Sequence, residues 1–426
     1  MLKIIIHQPQ KIAPFQQPAR DLRVLNKPLW LIQRDALAEI CESELILSLG
    51  EDLPEDEREC LVFQDHLFFD SEFIKNFAAL ARSMGKAVQL AFMDHDPIVK
   101  EHILPLTQGF EFRDGLVLAP IWYYPSGKKN SPDPLMIKFD CMEAGYYHVP
   151  AYMAGKLGDL TYHIPAHPFI AIESWVHIFY ANIIFGVFAR GLRQEHLIKQ
   201  SLSAKLRAIW RALIEGRQLL DSSFLVKVGA NCSIDPSAII HGPTTIGDNV
   251  TIGAGVVIEN SIIGDNVNIS QGVQIMLSVV GDNVFLPFRA ALFMTTLMEN
   301  STVAQNACLQ MCVIGRNTFI GAGTTFTDFN LLPVPIRARN AKGELVPTNR
   351  PVLGGAVGHN CRIGSGFIIY PGRMIDSDVV LINSTSSNVI DKDVSFAESH
   401  HHKHRHSSTH QAEYSEGEEP ASHHWK

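Results

Sequence analysis

A mixed α/β unit followed by a parallel β-helix is the fold class this sequence predicts, on a hexapeptide period, the small residues that punctuate it, and a different patterning before residue 173. In the second half, aliphatic residues recur every six positions: Ile240, Ile246, Ile252 and Ile258, then after a step of five Ile263, Ile269 and Ile275. A second step of five leads to Val280, Leu286 and Leu292, and the ladder resumes as Val303, Leu309, Ile314, Ile320, Phe326, Val357, Ile363, Ile369 and Ile375. Neither a helical face nor an alternating strand has this period. Glycine follows many ladder positions (Gly247, Gly253, Gly264, Gly281, Gly315, Gly321, Gly358, Gly364), and Asp-Asn pairs recur at 248, 265 and 282. These residue types turn corners, because they tolerate positive φ. Residues 1–172 instead read as α/β, with apolar strand-like runs at 2–6, 45–48, 61–63 and 87–92 and helical spacing at 31–41 and 71–84.

The period describes a triangular prism whose short sides each contribute one inward aliphatic residue and whose coils pair edge to edge. It resembles the hexapeptide-repeat transferases, over roughly residues 228–385. The resemblance implies a left-handed parallel β-helix, here at 228–394, with an inserted arm at 327–356. A right-handed or non-catalytic β-helix is the alternative, since one fold hosts many activities.

A formal charge of -8 over 426 residues argues against general nucleic-acid binding, and the length suits two folded domains. The seven cysteines (41, 60, 141, 232, 308, 312, 361) show neither zinc spacing nor a disulfide framework, which fits a reducing cytoplasm. Cys308 and Cys312 straddle Leu309 and read as coil packing, and no metal site is expected. The N-terminal apolar run is too short for a signal peptide and reads as a first strand. The stretch from Trp175 to Leu192 is interrupted by His177, Asn182 and Arg190 and reads as a buried helix, with no transmembrane segment expected. It opens a helical connector, 173–227, whose later part is basic (Arg190, Arg193, Lys199, Lys205, Arg207, Arg211, Arg217), a solvated face or an anion contact. The His-rich segment 395–426 is too polar to pack and is expected to be disordered.

Three N-terminal segments, in order, resemble the sugar-phosphate nucleotidyltransferases: Leu25-Asn26-Lys27-Pro28-Leu29, the strand end Leu61-Val62-Phe63-Gln64-Asp65-His66-Leu67, and the run from Phe169 to Trp175 followed by Ala181-Asn182. Joined to a β-helix, the order resembles the bifunctional nucleotidyltransferase/acetyltransferases and implies a Rossmann-type sheet. The family's first loop is glycine-rich so that backbone N–H groups can reach nucleotide phosphates. Here the first glycine is Gly50, and 8–24 is rich in Gln and Pro. Asp65 matches the first metal-binding aspartate, but Ala171 stands at the second. The resemblance therefore implies a domain that has lost nucleotidyl transfer and retains binding or placement of a sugar-nucleotide or sugar-phosphate, with Asp65 a substrate-side residue or a strand-end cap.

In the β-helix, Met298 to Ser301 and Val313 to Asn317 resemble archaeal-type bifunctional enzymes, but Ala304-Gln305 stands where they carry Pro-His, and glutamine accepts no proton near neutral pH. The run from Val357 to Gly364, containing Gly358-His359-Asn360-Cys361, resembles the acyltransferases that modify nucleotide-linked sugars. By that resemblance His359 is the general base and Asn360 stands beside it, with Gly358 and the arm residue Arg350 at the substrate. A base is required, since the sugar hydroxyl or ammonium loses a proton as it attacks a thioester, and an imidazole of pKa roughly 6.5 suits the task. A corner histidine with no chemistry explains position 359 equally well, and His241 reads as a corner. The resemblance further implies acyl-CoA or acyl-carrier protein as donor, no tightly bound cofactor and a homotrimer. The alternatives are a non-catalytic sugar-nucleotide sensor or scaffold, and a sugar-1-phosphate nucleotidyltransferase.

Overall fold

The computed structural model describes residues 1–54, 57–128, 131–149, 158–200, 206, 210, 225–331, 334–383 and 388–404. Its N-terminal part is built on a mixed sheet. We label its six main strands β1 (Leu2–His7), β2 (Ser43–Ser48), β3 (Cys60–Gln64), β4 (Val88–Met93), β5 (Leu116–Tyr124) and β6 (Asp133–Met136), which lie in the order β6-β4-β5-β3-β1-β2. β1 pairs in parallel with both β2 and β3, and β6 with β4, whereas β5 runs antiparallel to its two neighbours. The expected Rossmann-type sheet is thus met in its mixed α/β character and not in all-parallel topology, because β5 enters between β3 and β4 in the reverse sense. α1 (Leu29–Leu37) and α2 (Ser71–Met84) pack on one face through Ala36, Leu37, Phe73, Ile74 and Phe77. α2 begins where Asp70 accepts from Phe73 N–H and ends at Gly85, whose φ of 63° closes the last turn.

The second half is a three-faced parallel β-helix. Each face is an eight-stranded sheet whose neighbouring strands come from successive coils. Face one runs from Val226–Val228 to Met374–Ile375, face two from Ser233–Ile234 to Val380–Leu381, and face three from Ile239–His241 to Val389–Ile390. The sequence ladder forms one continuous core, joined by Leu297 where the period had lapsed. The geometry fits the left-handed form.

The steps of five have a structural cause. The corner from face three to face one is short and puts Asn260, Leu277, Met294 and Met311 at positive φ. Beneath it Ser261, Ser278 and Thr295 form a buried ladder, each hydroxyl accepting from the backbone N–H one coil on. At the corner from face one to face two, Asn231, Asn249, Asn266, Asn283, Asn300, Asn317 and Asn360 all sit at positive φ near 56°. Adjacent side-chain amides hydrogen-bond along that column, as Asn317 does to Asn360 at 3.1 Å.

The two halves share a core. The outer side of face one (Val279, Val313, Ala356, Met374) is covered by the helix beginning Trp175–Phe179 and continuing through Tyr180–Phe188 and Ala189–Gln200. By length and composition Trp175–Gln194 resembles a membrane span, but the β-helix and the hairpins of the first 25 residues bury it, as a core helix requires. Of the basic connector, Arg190 donates to Thr245 Oγ1 and Arg193 to Ala166 O. Lys199 has no described side chain, and Lys205, Arg207, Arg211 and Arg217 lie outside the described residues.

The hairpin of the inserted arm, Arg337–Arg339 with Leu345–Pro347, folds back onto the N-terminal half, burying Ile336, Ala338, Val352 and Leu353 in the shared core. The segment expected to be disordered from 395 is ordered in its first part. Residues 396–398 and 400–404 form short helical turns, with Ser399 Oγ accepting from Val380 N–H at 2.8 Å; positions 405–426 lie outside the described residues.

Candidate functional site

The strand order reverses at β1, which has β2 on one side and β3 on the other. In open α/β sheets such a reversal opens a crevice at the carboxyl ends of the strands, where ligands bind. Here those ends deliver His7, Gln8, Asp65 and His66 to one place.

Asp65 is the buried hub of the crevice. One carboxylate oxygen accepts from Gln8 N–H at 2.9 Å, while the other faces His7 Nδ1 at 2.7 Å and Arg20 Nη1 at 3.3 Å. The carboxylate is committed to protein donors, and Arg20 supplies its countercharge. A cavity of about 250 Å³ opens on the α1 side, lined by Arg20, Trp30, Gln33, Arg34 and Asp65. On the other side lies a cavity of about 260 Å³, lined by Gln8, Gln10, His66, Gln108, Glu173 and Lys342 among others.

The second cavity has an unusual pair in its wall. Glu173 accepts from Gln108 N–H at 2.7 Å and Gly109 N–H at 2.9 Å, and its carboxylate stands 4.0 Å from His66 Nε2. A Cβ at position 109 would fall 2.7 Å from the Glu173 carboxylate, so only glycine permits this approach. Burial raises the Glu173 pKa, partly offset by the two amides, and lowers that of His66 to about 4, with His177 adding to the effect. His66 is therefore neutral at pH 7. Its Nδ1 is buried and has no hydrogen-bond partner among the described residues.

The residues singled out in the β-helix are all engaged in structure. His359 is fully buried at the corner between faces one and two. Its Nδ1 accepts from Arg316 N–H at 3.0 Å, so the neutral ring carries its proton on Nε2. That leaves a donor where a general base needs a lone pair. Burial, then Arg316 and Arg23, hold its pKa well below the usual histidine range. Phe15 lies over the ring and Pro14 over the neighbouring backbone, where a Cβ on Gly358 would come within 2.6 Å of Pro14 O. Gly358 N–H donates to Ile375 O and His359 N–H to Ser377 Oγ, so neither amide is left to hold an oxyanion. His359 thus stands at a sealed corner, its Nε2 buried and without a hydrogen-bond partner among the described residues.

Asn360 belongs to the amide column, donating to Asp378 Oδ1 at 3.0 Å. Arg350 is sunk between the halves. Its Nη1 donates to Glu101 Oε1 at 2.6 Å, its Nη2 to Glu101 O and His102 Nδ1, and its Nε to Tyr180 OH, with Tyr162 stacked against the guanidinium. It joins the halves and contacts no cavity described above. Of the five expected site residues only Asp65 lies in the crevice, without a free carboxylate. Arg20, His66, Glu173 and Lys342 were missed. His66 and Glu173 stood inside the segments that marked the crevice, whereas nothing local marks Arg20 or Lys342. Among the described residues no group of three or more His, Cys, Asp or Glu side chains is placed to hold a metal.

Residues 226–260 match the bacterial transferase hexapeptide family (six repeats). No curated protein sequence matches the chain. Solved structures similar to it include a UDP-N-acetylglucosamine acyltransferase from Campylobacter jejuni, at 16% identity and a TM-score of 0.23 over 40% of this chain and 64% of that one. This chain thus spans less than two thirds of that protein. Another is a putative acetyltransferase from Bacillus cereus, at 18% identity and 0.16 over 41% and 86%. A third is a mutant perosamine N-acetyltransferase from Caulobacter crescentus in complex with CoA and GDP-perosamine, at 17% identity and 0.16 over 40% and 50%. At these scores the likeness carries no argument about activity.

Proposed function

We propose that this protein binds a sugar-phosphate or sugar-nucleotide in the crevice at the carboxyl ends of β1 and β3, on a hexapeptide-repeat β-helix that serves as its rigid mount. The observation that carries this reading is the contrast between the two halves. The crevice holds open cavities lined by carboxylate, amide, imidazole and cationic side chains, while the corner that resembled an acyltransferase site is closed over by Phe15. The nucleotidyltransferase-like half retains the place for a sugar ligand and lacks the means to transfer a nucleotidyl group. Ala171 offers no second carboxylate, Asp65 is neutralised by Arg20, and 8–24 clamps the β-helix instead of cradling phosphate. The seven cysteines are all free thiols, in keeping with a cytoplasmic protein. A thermal-shift screen with UDP-, GDP- and dTDP-sugars and hexose phosphates tests it, because a ligand that binds only the folded state raises the melting temperature with its excess over Kd. No shift with any of them would sink the reading.

The second reading is acyl transfer from acyl-CoA or acyl-carrier protein, favoured by the hexapeptide family match. Face one is covered from within the chain, but faces two and three are open and expose Phe285, Phe288, Phe319 and Ile368. A homotrimer would bring such faces together, with the acyl site between subunits. Release of free thiol from acyl-CoA on adding a UDP-sugar supports this reading, and a monomer by light scattering at micromolar concentration counts against it.

A further inference from the structure

β2 is the open edge of the N-terminal sheet. Among the described residues no strand pairs with its outer side. Leu2 N–H donates to Glu59 O and Ile6 O accepts from Asp65 N–H, so the even-numbered residues of β1 bond toward β3 and the odd-numbered ones toward β2. In the observed register, with Lys3 opposite Glu44 and Ile5 opposite Ile46, this engages Ser43, Leu45 and Leu47 and turns the backbone N–H and C=O of Glu44 and Ile46 outward. Ser48 is also turned outward, but Glu51 occupies both its groups: Ser48 N–H donates to Glu51 Oε2 at 2.9 Å, and Ser48 O accepts from Glu51 N–H at 3.1 Å. The unpaired stretch therefore centres on Ile46. Edges of this kind are ordinarily guarded by lysine, proline or a bulge. β2 has none of these: it reads Ser-Glu-Leu-Ile-Leu-Ser and keeps an unbroken register with β1. Its one charge, Glu44, is already paired with Lys3 at 2.5 Å, while Ile46 is 49% exposed and Leu49 just beyond it 52%.

We infer that this edge pairs antiparallel with β2 of a second copy of the chain, about a two-fold axis at Ile46, joining two N-terminal sheets into one. The choice of a second copy rests on self-complementarity. A two-fold axis normal to the sheet keeps like faces together, so each residue of β2 must meet one of its own parity. Centred on Ile46, the axis lets that residue exchange both backbone hydrogen bonds with its own copy. It also sets Leu45 against Leu47 twice on one face, and Glu44 against Ser48 on the other. Centred on Leu45 it would set the Glu44 carboxylate against Ile46 twice, and centred on Glu44 it would oppose two carboxylates. The groove beside α1, walled in part by Ile46, Trp30 and Arg34, runs along the same edge. Together with Leu49 it extends the contact beyond the strands, toward the ~1,000 Å² that a stable interface buries. The inference is independent of what the crevice binds and of any contact between β-helices.

The test is the mass of the full chain in solution, by light scattering and sedimentation at micromolar concentration, for the wild type and for Ile46→Lys, which puts a guarding charge on the edge. The wild type should have the mass of two chains, or of six if the β-helices also assemble in threes. Ile46→Lys should halve that mass at an unchanged melting temperature, since the side chain it replaces is half exposed. Ile46→Cys supplies a second measurement. Across an antiparallel pair that exchanges hydrogen bonds the Cα atoms lie about 5.5 Å apart, so a short bismaleimide should join two copies of this variant well above the level seen with the wild type. Should Ile46→Lys fail to fold, the crosslinking decides alone. A wild type that is monomeric or contains an odd number of chains, an Ile46→Lys mass equal to that of the wild type, or no gain in crosslinking at position 46 would each overturn the pairing. A monomer that takes up a synthetic extended peptide of alternating valine and threonine would give the edge to a different protein, and would overturn it as well.

Discussion

The Phe15 ring lies 5.2 Å, centroid to centroid, from the His359 imidazole, tilted by 37°, although 344 positions separate the two residues. The same segment that supplies Gln8 and Arg20 to Asp65 supplies Pro14 and Phe15 to the β-helix corner, where Ser377 Oγ donates to Pro14 O at 2.8 Å. Residues 8–24 are the joint between crevice and prism.

His359→Ala is therefore expected to act on stability. Removing the ring leaves Arg316 N–H buried without an acceptor and opens a void against Phe15, together costing on the order of 2–4 kcal/mol. Equilibrium denaturation should show that loss, while sugar-phosphate binding in the crevice persists. A variant of wild-type stability that has lost acyl transfer would restore the catalytic role.

The pH dependence follows from the same residue. The folded-state pKa of His359 is depressed by burial, then by Arg316 and Arg23, so below the unfolded value of about 6.5 the unfolded chain binds a proton that the folded corner refuses. Its contribution is present above that pH and is lost as pH falls toward the folded pKa. His66 and His177, each at about 4, act in the same direction, while Asp328, raised to about 6 by burial, opposes them. In His359→Gln the decline in stability between pH 7 and 5 should be shallower, by at most ~1.4 kcal/mol per pH unit. Parallel curves for wild type and variant would show that His359 takes up its proton without unfolding.

The ladder was legible in the sequence because each coil repeats the same demand, one inward aliphatic residue per side, so Ile258, Ile275 and Leu292 announce one another. α2 was equally plain, since its apolar spacing and Gly85 are local signals. The fate of His359 was not legible, because what covers it comes from the opposite end of the chain. Arg350 was read as a substrate residue for the same reason: its partners Glu101 and Tyr180 are distant in sequence, and only the docked arm brings them together.

Arg350→Ala should loosen that docking. The substitution leaves Glu101 largely buried without its cation and His102 Nδ1 without a donor, and breaking a buried pair from one side costs ~3–5 kcal/mol. Limited proteolysis should then cut within 327–356 at a concentration of protease that spares the wild type. Arg350→Lys should rescue it only in part, since an ammonium cannot reproduce four directed hydrogen bonds spread across a planar guanidinium. Unchanged proteolysis of Arg350→Ala would mean that the apolar contacts of the arm hold it without the arginine.

Nucleotidyl transfer is expected to be absent. A magnesium-assisted reaction of that class needs carboxylates free to hold the cation against the phosphates. Asp65 already accepts from Gln8 N–H and Arg20, and position 171 is alanine on a buried strand end. Incubation with a sugar 1-phosphate, a nucleoside triphosphate and magnesium should therefore release no pyrophosphate above a control without protein. Replacing Ala171 by Asp should not restore it, because Arg20 would still occupy the first carboxylate. Pyrophosphate release by the wild type that Asp65→Ala abolishes would show instead that Arg20 yields its place to the metal.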